Sequence, residues 1–153
     1  MSFKPLKITA FDNNDIGIIS GLVQDSIVEL KDINYDGSTL TIAMKRFAWE
    51  VANQPVDKNI TDKQLYIRTY SVLRFDNVVK LSKNDILRDS DLDILMLMSI
   101  HILKSDTNIN VYFNFSGGMT LKAEVLNIAS ILCDVGDSWT TDVMPSHNDH
   151  LLS

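Results

Sequence analysis

A chain of 153 residues, 45% apolar and 22% charged, is long enough for one domain that buries roughly 70% of its unfolded surface, and its composition is that of a folded protein. A formal charge of −6 argues against broad nucleic-acid binding, which needs cationic groups to neutralise phosphates, though not against a local anion site. One cysteine, Cys133, excludes a disulfide framework and points to a reducing compartment, the cytoplasm; no signal sequence or membrane span is read, the longest uncharged apolar stretch being residues 94–103.

In chain order, residues 6–11 alternate and predict a short opening strand. Asp12-Asn13-Asn14-Asp15 supplies N-cap chemistry, and Ile16, Ile19, Leu22, Val23 and Ile27 form the apolar stripe of a helix over residues 13–26. Gly17 and Gly21 weaken that helix and are expected to let it pack closely onto a sheet. Residues 28–33 read as a strand that turns through Asn34-Tyr35-Asp36-Gly37 into residues 39–47, where Leu40, Ile42 and Met44 point inward. Residues 48–51 either continue or break that strand. A polar, proline-containing stretch, residues 53–63, reads as a surface loop.

Residues 65–75 alternate again, with Leu65, Ile67, Thr69, Ser71 and Leu73 on one side and Tyr66, Arg68, Tyr70, Val72 and Arg74 on the other. A bend at residues 75–77 leads to a strand over 78–81 and a charged connection over 83–91. Residues 94–103 predict a strand apolar on both faces and covered on both sides. Residues 111–115 and 121–125 form a hairpin about Gly117-Gly118, with Val111, Phe113 and Phe115 inward. Ile128, Ile131, Leu132 and Val135 fit a short C-terminal helix, beyond which the tail is irregular, Trp139 a packing anchor and residues 146–153 frayed.

The fold class that follows is α+β: one domain over residues 1–153, a strongly bent antiparallel sheet with an N-terminal helix and a short C-terminal helix. The sheet either closes as a small barrel, of which the pleckstrin-homology shape is one example, or folds as a sandwich. Fold does not imply function.

Six stretches, in this order, carry a resemblance: Leu6-Lys7-Ile8-Thr9-Ala10-Phe11-Asp12, Leu22-Val23-Gln24-Asp25-Ser26-Ile27-Val28, Lys45-Arg46-Phe47-Ala48-Trp49-Glu50, Leu73-Arg74-Phe75-Asp76-Asn77-Val78, Phe115-Ser116-Gly117-Gly118 and Asp134-Val135-Gly136-Asp137-Ser138-Trp139. Through them the chain resembles an uncharacterised alphaproteobacterial family of domains of unknown function. The resemblance implies no activity.

Motifs for chemistry are sparse. Gly136-Asp137-Ser138 with His150 resembles the nucleophile block of one esterase class, but that block belongs near the start of the chain, on a turn after a strand. Asp89-Ser90-Asp91-Leu92-Asp93 starts like a calcium loop and then fails, with Ile94 and Ile100 at the sixth and twelfth positions. His147-Asn148-Asp149-His150 has metal-compatible side chains in a terminal segment, where a rigid second shell is rare. His101 reads as a core or edge histidine and Cys133 as a buried, inert thiol. No catalytic, cofactor-binding or metal-binding set is assigned.

Charge is uneven: residues 45–88 hold nine basic and five acidic groups. Within them Arg46, Trp49, Arg68, Tyr70 and Arg74 have the Arg-plus-aromatic composition of interaction hot spots. The reading is a non-catalytic protein- or peptide-interaction domain using a basic-aromatic sheet face. The alternative is a small-molecule-binding or hydrolytic enzyme with its site at a barrel mouth. A homodimer is expected if one apolar sheet face is left uncovered within the chain.

Overall fold

The computed structural model describes residues 3–52, 66–84 and 93–145. The predicted loop at 53–63, most of the connection at 83–91 and the tail at 146–153 with its His147–His150 motif lie outside them. Among the described residues there are ten strands and one α-helix: β1 (Lys7–Ala10), α1 (Asn13–Leu22), β2 (Ser26–Glu29), β3 (Ile33–Tyr35), β4 (Leu40–Phe47), β5 (Tyr66–Phe75), β6 (Val78–Asn84), β7 (Ile94–Lys104), β8 (Ile109–Phe115), β9 (Thr120–Val125) and β10 (Ser130–Thr141). No helix among them is long and apolar enough to cross a membrane.

Capping starts α1 as its sequence dictates. The Asp12 carboxylate accepts from the Asp15 amide at 2.8 Å, and the Asp15 carboxylate accepts from the Phe11 amide at 3.1 Å. The helix stops at Leu22, short of residue 26, because Asp25 turns into the left-handed region at φ 61° and Ser26 begins a strand. Ile16, Ile19 and Val23 are fully buried. Gly17 and Gly21 lie on the other side of the helix, where an added Cβ would meet nothing within 4 Å. Close packing onto the sheet is therefore not their role.

The sheet is antiparallel throughout, in the order β1-β10-β5-β4-β2-β7-β8-β9-β6, with β3 also on β4. β5 occupies one edge of β4; β2 and β3 share the other edge end to end, β2 through the single pair Ile27↔Lys45. That narrow join lets the sheet fold over. β5 and β8 stand four places apart, roughly 19 Å in a flat sheet, yet the rings of Phe75 and Phe113 meet edge to face at 5.3 Å. The two halves face each other across one core, which takes in Leu40, Ile42, Leu73, Leu97, Val111, Leu121 and Leu132. The sheet does not close into a barrel. Where β2 ends, α1 takes over the edge of β7, the Ile100 amide donating to Ser20 Oγ at 2.9 Å.

Four predicted elements differ. Of the apolar residues spaced over 128–135, Ile131, Leu132 and Val135 belong to β10, not a helix, and Ile128 precedes it: Leu132 and Asp134 point inward, Ile131 and Cys133 outward, and β1 and β5 supply its ladder partners on both edges. The predicted irregular tail continues that strand as far as Thr141. Residues 28–33 are not one strand, since a 3₁₀ turn at Leu30–Asp32 steps the chain from β2 to β3. β7 is covered less evenly than expected: a bulge between Leu97 and Ser99 shifts its phase, and Ile94 and Leu103 are exposed. A 3₁₀ turn at Trp49–Val51 breaks β4.

The Asp36-Gly37 turn forms as predicted. Asp36 Oδ1 accepts from the amides of Ser38 (2.9 Å) and Thr39 (2.7 Å), and Gly37 takes φ 96°. The Thr39 and then the Ser38 amide bonds lower the Asp36 pKa below its ordinary 3.8. A carboxylate whose pKa falls on folding stabilises the fold while ionised, fully above about pH 4, and loses that effect as pH drops through its folded value. Asp36→Ala is expected to lower the urea midpoint at pH 6, and the gap from the native chain should shrink towards pH 2. A gap that stays constant over that range would contradict this assignment.

Candidate interaction face

Strand register lays out the outer face of β10, β5 and β4 as rows, because residues directly opposite one another share a side. The first row is Trp139–Arg68–Phe47, and the second has Tyr70–Lys45–Ile27, reaching β2. The third is Lys7–Cys133–Val72–Ala43 and the fourth Thr9–Ile131–Arg74–Thr41. Arg68, Tyr70 and Arg74 therefore share one face, as alternation in β5 predicts.

Phe47 anchors the first row. It is fully buried, although it points away from the main core, beneath Trp49 (4.6 Å), Tyr66 (5.6 Å) and the Arg68 guanidinium (5.6 Å from the ring centre). Arg68 donates to the Lys45 carbonyl at 3.1 Å, and burial lowers its pKa against the opposing attraction of Asp25. Trp49 donates its indole N–H to the Gln24 carbonyl at 2.7 Å, so it joins the face at this end. Arg74 is exposed and paired with Asp76 at 3.2 Å.

Arg46 is not part of the face. Its side chain is fully buried on the opposite side of β4, in line with Leu40, Ile42 and Met44. There Nε and Nη2 donate to the two oxygens of Asp134 at 3.1 and 2.9 Å, and Nη1 and Nη2 donate to Glu50 at 2.7 and 2.8 Å. Asp134 also accepts from Ser71 Oγ at 2.6 Å and from the Leu6 amide at 2.8 Å. Burial, the largest single influence on Arg46, favours its neutral form. The hydrogen bonds and charges of Glu50 and Asp134 together outweigh it and raise the pKa. This is a structural lock beneath the face.

Beyond Asp134 the ladder slips. Asp134 pairs with Ser71 and Ser138 with Thr69, so residues 135–137 stand opposite Tyr70 alone. Gly136 lies against Tyr70, where an added Cβ would come within 2.9 Å of the tyrosine Cβ. Tyr70, 45% exposed, rests beside Trp139 with ring centres 4.8 Å apart. Next to the pair is a depression of about 260 Å³ walled by Ile27, Ala43, Val72, Val135 and Tyr70, with Glu29, Asp32 and Lys45 among its polar lining groups. Trp139, Ile27, Val135 and Gly136 were missed as face residues. The signal for Trp139 was its place opposite Arg68, which needs the strand assignment that its sequence hides.

The remaining motifs gather no chemistry. Ser138 lies within β10, not on a turn after a strand, and His150 is outside the described residues. His101 is an exposed residue of β7, stacked on Tyr112 at 5.0 Å and 3.1 Å from the Asn114 amide nitrogen. Cys133 is half-buried, less enclosed than its apolar neighbours imply. Among the described residues no group of three or more His, Cys, Asp or Glu side chains could hold a metal ion.

The fold and face define an α+β domain built on a folded-over antiparallel sheet, with an aromatic-basic outer surface. Residues 6–147 match the family described as "Protein of unknown function (DUF2948)", and the chain belongs to it. No curated protein matches. Among solved structures, an uncharacterized protein from Neisseria gonorrhoeae is similar at 13% identity and a TM-score of 0.39, over 82% of this chain and 96% of that one.

Two outcomes follow from this geometry. Arg46→Met leaves Asp134 buried and short of its cationic partner, and should lower unfolding free energy by roughly 3–5 kcal/mol. Glu50→Gln, nearer to solvent, should cost clearly less; urea denaturation of the two variants gives the comparison, and equal losses would contradict the hierarchy. Gly136→Ala forces the bulge or Tyr70 to move, at roughly 1–3 kcal/mol as in other overpacked sites. The same change should alter tryptophan emission through Trp139, and unchanged stability with unchanged emission would refute the close contact.

Proposed function

We propose that this is a non-catalytic interaction domain that takes a protein or peptide partner on the outer face of β4, β5 and β10. The observation that carries this reading is the Tyr70–Trp139 pair standing half out of the surface beside an apolar depression, with Arg68 and Arg74 on the same strand. Rigid aromatic rings flanked by arginines are the composition of interface hot spots, and contiguous exposed apolar surface marks interaction sites. The depression is smaller than the roughly 300–1,000 Å³ of small-molecule clefts, which favours a side chain of a larger partner. The single cysteine supports a cytoplasmic setting.

Arg68 is packed and bonded on Phe47 and Lys45, so its contribution includes holding the face in shape; Tyr70, Trp139 and Arg74 offer the free surface. Recovery of partner from native lysate should fall about tenfold or more for Tyr70→Ser/Arg74→Glu, since a hot-spot residue contributes about 2 kcal/mol or more. Lys80→Glu/Lys122→Glu, on the other half of the sheet, should leave recovery unchanged. Equal recovery by the native chain and both variants would remove this face from consideration.

A further inference from the structure

The depression on the outer face is chemically lopsided. Its floor and walls are aliphatic: Ile27 comes from β2, Ala43 from β4, Val72 from β5 and Val135 from the bulge of β10. Val135 is 58% exposed, a branched apolar side chain held in water by the ladder slip that sends residues 135–137 outward. Two carboxylates, Glu29 and Asp32, line the end formed by β2 and the 3₁₀ turn, and Lys45 and Tyr70 line the rest. Glu29 already holds Lys31 at 3.3 Å, but that lysine is 77% exposed. Such a surface pair contributes only about 0–1 kcal/mol and exchanges readily for an incoming cation.

We infer that the partner enters as a short segment pairing one aliphatic side chain, seated between Ile27, Ala43, Val72 and Val135, with an adjacent Lys or Arg set against Glu29 and Asp32. This rests on the proposed interaction face and deepens it by naming the chemistry of the occupant. The size of the depression selects a side chain, and the acidic end sets which neighbour that side chain carries. Charge placement of this kind governs specificity more than total affinity. A protein of net charge −6 attracts cationic segments at long range, and the local carboxylates hold them in one orientation. The arginines and Lys45 on the same face disfavour a segment that is basic along its whole length.

A displayed library of random heptapeptides, panned on the full chain, tests this directly. Panning runs in parallel on the native protein, on Glu29→Lys/Asp32→Lys and on Val72→Asp, each first matched to the native chain by circular dichroism. Native-chain binders should carry an aliphatic residue within one or two positions of Lys or Arg. They should lose about tenfold or more in affinity on the charge-reversed variant, and the change should be readable in Trp139 fluorescence. Panning on that variant should return Asp or Glu where Lys or Arg stood, an exchange that a misfolded protein would not produce, so the test survives a failure of Val72→Asp to fold. Binders that depend on Tyr70 and Arg74 but ignore Glu29 and Asp32 would overturn this inference and leave the interaction face standing. No enrichment over an unrelated protein would overturn the inference. So would an absence of enrichment together with self-association of the native chain that Val72→Asp abolishes, which would give the face to a second copy.

Discussion

The buried pair of Arg46 and Asp134 is the constraint on which the rest of the architecture depends. A guanidinium removed from water is tolerable only if its donors are met, and here Nε, Nη1 and Nη2 all point at carboxylate oxygens. Asp134 accepts four hydrogen bonds through its side chain, from Arg46 twice, from Ser71 and from Leu6, and so joins β4, β5 and β10 to the residue that leads into β1. Glu50 brings in the 3₁₀ turn after β4, and the carbonyl of Leu22 at the end of α1 lies 3.5 Å from Nη1. Six segments that share little local sequence preference are held in register by one ionic cluster. The lock also borders the outer face: directly after Asp134 the register slips before the chain pairs again at Ser138, and that slip presents Val135 and places Gly136 against Tyr70.

The second constraint is the narrow join at Ile27↔Lys45. A ten-stranded sheet with continuous pairing would need partners for two broad apolar faces. A single bridged pair lets the halves close over Phe75 and Phe113, so the chain covers its own core. The covering that a second copy would supply to an uncovered core face is thus supplied within one chain, and among the described residues the outer face and the two edge strands stay open. Of those edges, β6 carries Lys80 and Lys83, charges of the kind that discourage edge-to-edge pairing.

How much of this was legible in the sequence depended on whether one face of each element was polar. β4, β5 and β8 alternate cleanly, and their buried sides follow that alternation, as the Asp36-Gly37 turn follows its residues. β10 departs from its expected helix because its outward residues, Ile131, Cys133 and Val135, are apolar while two of its inward ones, Ser130 and Asp134, are polar, which hides the two-residue period and leaves spacings that suit a helix. Arg46 was misplaced for a different reason. The period already put it inward with Leu40, Ile42 and Met44, but composition was allowed to override it, since the carboxylate that makes its burial tolerable lies 88 residues away. No local pattern announces a partner at that distance. The bulge at residues 135–137 is likewise a product of pairing with Tyr70 and has no signature of its own.

That bulge also explains why Gly136-Asp137-Ser138 resembles a nucleophile block without the surroundings of one. An esterase elbow uses glycine so that a serine can stand on a tight turn above a strand. Here glycine serves a packing need: a Cβ added at Gly136 would come within 2.9 Å of the Tyr70 Cβ, while Ser138 simply resumes the ladder opposite Thr69. Gly136 thus makes room for the aromatic pair on the candidate face. Asp134 makes the last regular pair before the bulge, and Gly136 within the bulge leaves the space in which Tyr70 lies beside Trp139.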